Sequence, residues 1–229
     1  MGESTPAVVP PILHAVTNDE VVARPTFLDL ARRVMQSMGS RGALVLRAAR
    51  MAQDESARFV ELALTLAEEQ ERTGAWIVIN DRIDVALIVC ARGVQLTSHS
   101  LDVSDTAHVL LKTAEVCRSN VPCAIGASVH SLEEGIAARL AGATWGVVSD
   151  VLAPHVNHEP ESGPLLLDRL VRYSGIPIVA IGGIVPQHVA ALRRAGAHGI
   201  AAIRGIWDAD HSERAVLDYL SAYDSEVGR

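Results

Sequence analysis

From residue 12 onward, short apolar runs alternate with longer stretches in which apolar residues recur at three- and four-residue intervals. The runs predict strands at Ile12–Thr17, Ala43–Arg47, Trp76–Ile79, Gly93–Leu96, Pro122–Ile125, Trp145–Val148, Pro177–Ile181 and Gly199–Ile203. The periodic stretches predict helices, clearest at Ser56–Glu71, Leu132–Ala141, Pro186–Ala195 and Ala209–Ala222. Each is long enough to cross over between parallel strands. Right-handed crossovers of this kind, repeated eight times, close into a single (β/α)8 TIM barrel, with an open doubly wound sheet as the alternative. Two Ala-Gly-Ala near-repeats, in Arg139–Trp145 and Arg194–His198, run straight into strands, as glycines that end helices do.

The same pattern sets the domain organisation. Residues 12–229 read as one barrel domain, preceded by a flexible N-terminal tail at 1–11 that carries Pro6, Pro10 and Pro11. The least regular stretch, Ser149–Gly163, is rich in Pro, His, Asn and Glu and predicts a long loop over the barrel mouth.

Composition narrows the function classes. A hydrophobic fraction of 49% over 229 residues supplies a large core, and only 3% aromatic residues makes that core aliphatic. A net charge of −7 with no basic run excludes extended nucleic-acid contact, while a single small phosphate is still permitted. Cys90, Cys117 and Cys123 lack the paired spacing of a zinc or redox motif and read as free thiols in a reducing cytoplasm. No apolar run approaches the roughly 18 residues of a membrane span, so a cytoplasmic protein with no membrane partner is expected.

In a barrel of this kind, chemistry sits at the C-terminal ends of the strands and in the loops that follow. The residues there are Thr17, Arg47, Asn80, Asp81, Thr97–Ser100, Ser128, His130, Asp150, Gly182, Gly183, Arg204 and Gly205. Gly182-Gly183 after strand seven and Arg204-Gly205 after strand eight suit a phosphate cradle. Glycine lets backbone N–H groups approach the oxygens, and Arg204 adds a charge and two parallel hydrogen bonds. The plainer reading of Gly182-Gly183 is a tight turn. Arg47 ends an apolar strand and has the fork geometry for an anionic substrate group. Asn80-Asp81 reads as a helix cap, as a polar pair aimed at substrate, or as one carboxylate of a magnesium site. His130 is either a helix-capping or solvent-facing residue, or an imidazole that moves a proton near neutral pH.

Four segments carry a family resemblance: Leu13-His14-Ala15-Val16-Thr17, Ile79-Asn80-Asp81-Arg82, Ile125 through Glu134, and Ala180-Ile181-Gly182-Gly183-Ile184. In this order and spacing they resemble the thiamine phosphate synthase/TenI superfamily, over residues 12 to about 208. The resemblance implies a TIM barrel, a small phosphorylated thiazole-type substrate and a homodimer. The two branches differ: the synthase joins a pyrimidine diphosphate to a thiazole phosphate using magnesium, whereas the TenI enzymes tautomerise a carboxythiazole phosphate without a metal.

Several positions depart from the synthase pattern. Where that branch has glutamine, arginine and lysine at alternate positions after strand two, this chain has Val45, Arg47 and Ala49. The second magnesium-binding aspartate would fall near Ser100, which leaves Asp81 alone. The segment Ser128 to Glu134 instead looks like TenI, in which the matching histidine is the proposed acid/base.

The expectation is therefore a thiazole tautomerase of thiamine biosynthesis with no cofactor and no metal. In it His130 is catalytic, Arg47, Asn80, Asp81 and Ser128 bind substrate, and Gly182, Gly183, Arg204 and Gly205 bind phosphate. The alternatives are a magnesium-dependent thiamine phosphate synthase and a barrel that binds a phosphorylated ligand without turnover.

Overall fold

The computed structural model describes residues 8–117, 123–152 and 163–225. Eight strands run β1 (Leu13–Val16), β2 (Gly42–Leu46), β3 (Trp76–Asn80), β4 (Gly93–Leu96), β5 (Ala124–Ser128), β6 (Trp145–Val148), β7 (Ile178–Ile181) and β8 (Gly199–Ala202). Each pairs in parallel with the next, and β8 returns to β1 with Ala201 opposite His14 and Ala202 opposite Ala15. The sheet is closed, so the fold is the (β/α)8 barrel and not the open sheet.

Helices cover the outside, among them Phe27–Met38, Ser56–Thr73, Leu132–Ala141, Pro164–Tyr173 and Ser212–Asp224. Leu132–Ala141 starts where Ser131 accepts a hydrogen bond from the Glu134 amide, and it stops at Gly142, which takes the left-handed conformation at φ 107°. Among the described residues, no helix is long and apolar enough to cross a membrane.

The strands fall within one residue of their expected bounds except at β5. The apolar run predicts Pro122–Ile125, but β5 spans Ala124–Ser128, and Pro122 lies outside the described residues. Gly126 and Ser128 end the apolar run in sequence, yet their backbones pair with Trp145 and Val147 of β6. Ladder hydrogen bonds extend a strand whatever the polarity of its inward side chains.

Alternation along the strands sorts side chains into two cores. Leu44, Leu46, Ile77, Ile79, Val94 and Ile125 point outward against the helices, in the larger core. Val16, Ala43, Val45, Val78, Ala124, Trp145, Val179 and Ala201 fill the lumen. The aliphatic core expected from composition describes most of the outer layer, which also buries Phe27, Phe59, Trp207 and Tyr219. The lumen, however, is built around one large aromatic side chain, Trp145, which is fully buried.

Small neighbours make room for that ring. A methyl group on Gly126 would stand 2.2 Å from the Trp145 ring, and one on Gly93 would stand 3.1 Å from it. The indole Nε1 donates to Gln95 Oε1 at 3.0 Å, so its one polar atom is satisfied.

Against the indole, His14 packs edge-on at 5.9 Å between ring centroids and bonds through Nε2 to the Pro11 carbonyl at 3.0 Å. His198 bonds through Nε2 to the Pro10 carbonyl at 2.8 Å. Pro10 and Pro11, within the stretch read as a tail, are both buried.

Burial pushes the His14 imidazole down from 6.5 to about 4; the Pro11 bond favours the proton and the nearby His198 opposes it. The unfolded chain therefore binds a proton that the folded one refuses across this interval. Neutral His14 contributes fully above pH 6.5, and its contribution is lost as pH falls toward 4. The size is on the order of 3 kcal/mol. Urea unfolding followed between these limits should show wild-type stability falling with acidity, and His14→Gln should lack that part of the slope.

Candidate active site

Period-two alternation carries the lumen to its mouth. Val78 faces inward, so Asn80 does too; Gly93 and Gln95 share a face on β4, and Gly126 and Ser128 on β5. The mouth holds a pocket of about 340 Å³ with an apolar floor of Val16, Val45, Val147, Ile181 and Ala201. Arg47, Asn80, Gln95, Thr97, Ser128, His130, Ser149 and Asp150 form its polar wall.

A second depression, also about 340 Å³, adjoins the first through Ile181, Gly182 and Ala201 and is lined by Gly183, Arg204 and Gly205. The two glycine-bearing loops singled out in the sequence thus face each other beside the mouth. Gly182 lies against the loop after β6: a methyl group there would stand 2.8 Å from the Asp150 amide nitrogen, and its φ is 120°. Gly183 is also left-handed, with nothing near its missing side chain. Gly205 sits under the Tyr219 hydroxyl, which a methyl group would approach to 2.2 Å. Tyr219 donates to the Ile184 carbonyl at 2.7 Å, tying the β7 loop to the last helix, and burial pushes its phenol up to about 12.

His130 stands exposed on the rim. Its amide donates to Glu134 Oε2 at 2.7 Å, and its Nδ1 lies 3.2 Å from the same oxygen. The residue that caps the helix is Ser131, not His130. Thr17 is buried, and its hydroxyl donates to the Arg47 carbonyl at 2.9 Å while accepting from the Arg47 amide at 2.9 Å. It belongs to the wall and fixes the backbone from which Arg47 projects.

Asn80 and Asp81 part company. Asn80 lines the pocket, whereas Asp81 does not. Neither caps the helix Ile83–Ile88, whose preceding residue is Arg82. The Asp81 backbone is left-handed at φ 62°, and its carboxylate turns toward the loop after β4. Its Oδ1 accepts from the Thr97 amide at 3.1 Å, from Thr97 Oγ1 at 2.9 Å and from Ser100 Oγ; its Oδ2 accepts from Asn80 Nδ2 at 2.6 Å. Asp81 thus faces the turn after β4 and lies outside the pocket lining.

Magnesium, which the resemblance implies for the synthase branch, needs carboxylate oxygens with lone pairs to give. Four donors already hold those of Asp81, and the second position carries Ser100, a hydroxyl and not a carboxylate. Among the described residues, no three His, Cys, Asp or Glu side chains gather as a metal-binding group. The residues present do not fit a magnesium ion at Asp81.

Gln95 and His14 line the pocket and escaped the reading of strand ends, because they lie inside strands. Their inward alternation was the available signal. Of the loop Ser149–Gly163, Ser149 and Asp150 line the mouth; residues 153–162 lie outside the described residues.

The family model described as thiamine monophosphate synthase matches residues 13–206. The chain belongs to this family. A thiamine-phosphate synthase of Methanoculleus marisnigri is 29% identical over 93% of the chain and 97% of its own length. The bifunctional thiamine biosynthesis protein ThiM/ThiE of Symbiobacterium thermophilum is 35% identical over 73% of the chain, which spans 34% of that longer protein. A solved structure of thiamine phosphate pyrophosphorylase from Pyrococcus furiosus superposes with a TM-score of 0.74 at 25% identity, covering 95% of this chain and 97% of that one.

Relatives named thiamine-phosphate synthase, among them that of Methanoculleus marisnigri, overturn the expectation of an isomerase. The likeness of Ser128–Glu134 to TenI rested on a short segment; the synthases match across nearly the whole barrel.

The contrast between the paired glycines is testable. Gly182→Ala combines a left-handed backbone with a backbone clash and should cost about 2–4 kcal/mol, whereas Gly183→Ala meets only the conformational penalty of about 1 kcal/mol. Denaturant unfolding of the two variants checks the order.

Proposed function

We propose that this barrel is a transferase of the thiamine-phosphate synthase type, which holds a thiazole phosphate at its mouth and joins it to a pyrimidine delivered as its diphosphate. Similarity over about nine-tenths of the chain to proteins bearing that name carries the reading. In it, backbone N–H groups of the Gly182-Gly183 and Gly205 loops, with the Arg204 guanidinium, hold the thiazole phosphate. A flat heteroaromatic ring lies over Val16, Val45, Val147, Ile181 and Ala201, with Asn80 and Ser128 fixing its orientation. Arg47, with His130 when protonated, faces the negative charge that grows as diphosphate leaves.

The hydrogen-bonded Asp81 carboxylate also favours a second reading, in which the barrel binds the phosphorylated thiazole without turnover. Supplying both substrates and measuring diphosphate release beside calorimetric binding of the thiazole phosphate separates the two. The transferase reading expects release that requires both substrates; binding without release leaves the second. Under either, Arg204→Ala should weaken thiazole phosphate binding about tenfold, the loss of one charge-assisted hydrogen-bonded contact.

A further inference from the structure

Asp81 poses a question that the transferase reading leaves open, because four hydrogen bonds converge on a carboxylate that stands just behind the pocket wall. Three of the four donors belong to, or follow directly on, the end of β4: the Thr97 amide, the Thr97 hydroxyl and the Ser100 hydroxyl. The loop is a turn in its own right, with the Ser100 amide donating to the Thr97 carbonyl at 3.1 Å and the Thr97 amide also donating to Ser100 Oγ at 2.7 Å. The Asp81 amide donates to the Gln95 carbonyl at 2.9 Å, so backbone and side chain together clamp the ends of β3 and β4.

We infer that Asp81 is a positioning residue whose acceptor oxygens pin the 97–100 turn and so place Thr97 in the wall of the mouth, and that it is not a metal ligand in this chain. Two features of this donor set carry the inference. First, the donor set is made of neutral N–H and O–H groups that satisfy the oxygens, whereas a metal ligand must offer lone pairs to the ion. Second, Ser100, at the position where a partner carboxylate would complete a magnesium site, instead donates to Asp81. A carboxylate at position 100 would repel Asp81, and a hydroxyl closes the latch.

The left-handed backbone sharpens the test. Aspartate and asparagine are the side chains that tolerate φ near 62° best, and glycine is freer still. Asp81→Asn therefore keeps the backbone and presents an amide oxygen to Thr97 and Ser100, with the Asn80 amide free to turn its oxygen to the new NH2 group. Asp81→Gly keeps the backbone and removes the latch. A latch distinguishes these two variants, whereas a metal ligand is lost in both.

Two measurements on the full-length protein decide the matter, and neither needs turnover, so they stand whether or not the transferase reading survives. Amide hydrogen exchange over residues 97–100 should remain near wild type in Asp81→Asn and accelerate about tenfold in Asp81→Gly. Binding of Mn2+, followed by its electron paramagnetic resonance with inorganic diphosphate present, should be the same in wild type and both variants, including the case in which none of them retains the ion. The inference is overturned if wild type holds Mn2+ and Asp81→Asn loses it, or if exchange in Asp81→Gly stays at the wild-type rate. It is overturned equally if Asp81→Asn loosens the turn as much as Asp81→Gly does.

Discussion

Closure of the sheet is the constraint from which the rest follows. Eight short parallel strands with no edge enclose one lumen, and every second side chain of each strand has to fit inside it. Trp145 takes up much of that space, which is why Gly93, Ala124 and Gly126 face it with little or no side chain. Gln95 accepts the indole N–H, so the same ring that fills the lumen also orients a polar group at the underside of the pocket. The floor of the mouth is set by this packing, layer upon layer, before any loop contributes.

At the rim, polar side chains divide into those that face the pocket and those that hold its walls. Thr17 ties the end of β1 to the backbone of Arg47; Asp81 ties the end of β3 to the turn after β4; Glu134 holds the backbone of His130. Tyr219 does the same from beneath for the β7 loop. Arg47, Asn80, Ser128 and His130 line the pocket, and in the function proposed above they meet an anionic, planar, hydrogen-bonding ligand. The glycine loops adjoin them through Ile181, Gly182 and Ala201, and the same proposal gives those loops the phosphate.

The split between family branches shows why a short segment is a poor guide to reaction type. Ser128–Glu134 looks like TenI, but much of what that segment encodes is local: Ser131 caps the helix and Glu134 reaches back to His130. Such a pattern serves helix initiation in any barrel, whatever happens at its mouth. Similarity spread over the whole chain, by contrast, includes the lumen and both glycine loops, and it points to the synthases.

The sequence by itself determined the barrel, because apolar runs and amphipathic crossovers in strict alternation have few other ways to bury their surfaces. It also determined that Gly182-Gly183 and Arg204-Gly205 lie at strand ends, and that Arg47, Asn80, Ser128 and His130 lie near the mouth. Where β5 ends, what fills the lumen and which way the Asp81 carboxylate turns were decided only by tertiary structure. Backbone pairing with β6 extends β5 past Ile125, and complementarity between Trp145 and glycines on other strands sets the lumen. Asp81 finds its donors 16 and 19 residues further along the chain, at the end of the neighbouring strand that the parallel pairing of β3 with β4 brings beside it. A side chain's partners across strands are a matter of register and distance, and neither is written in the residues next to it.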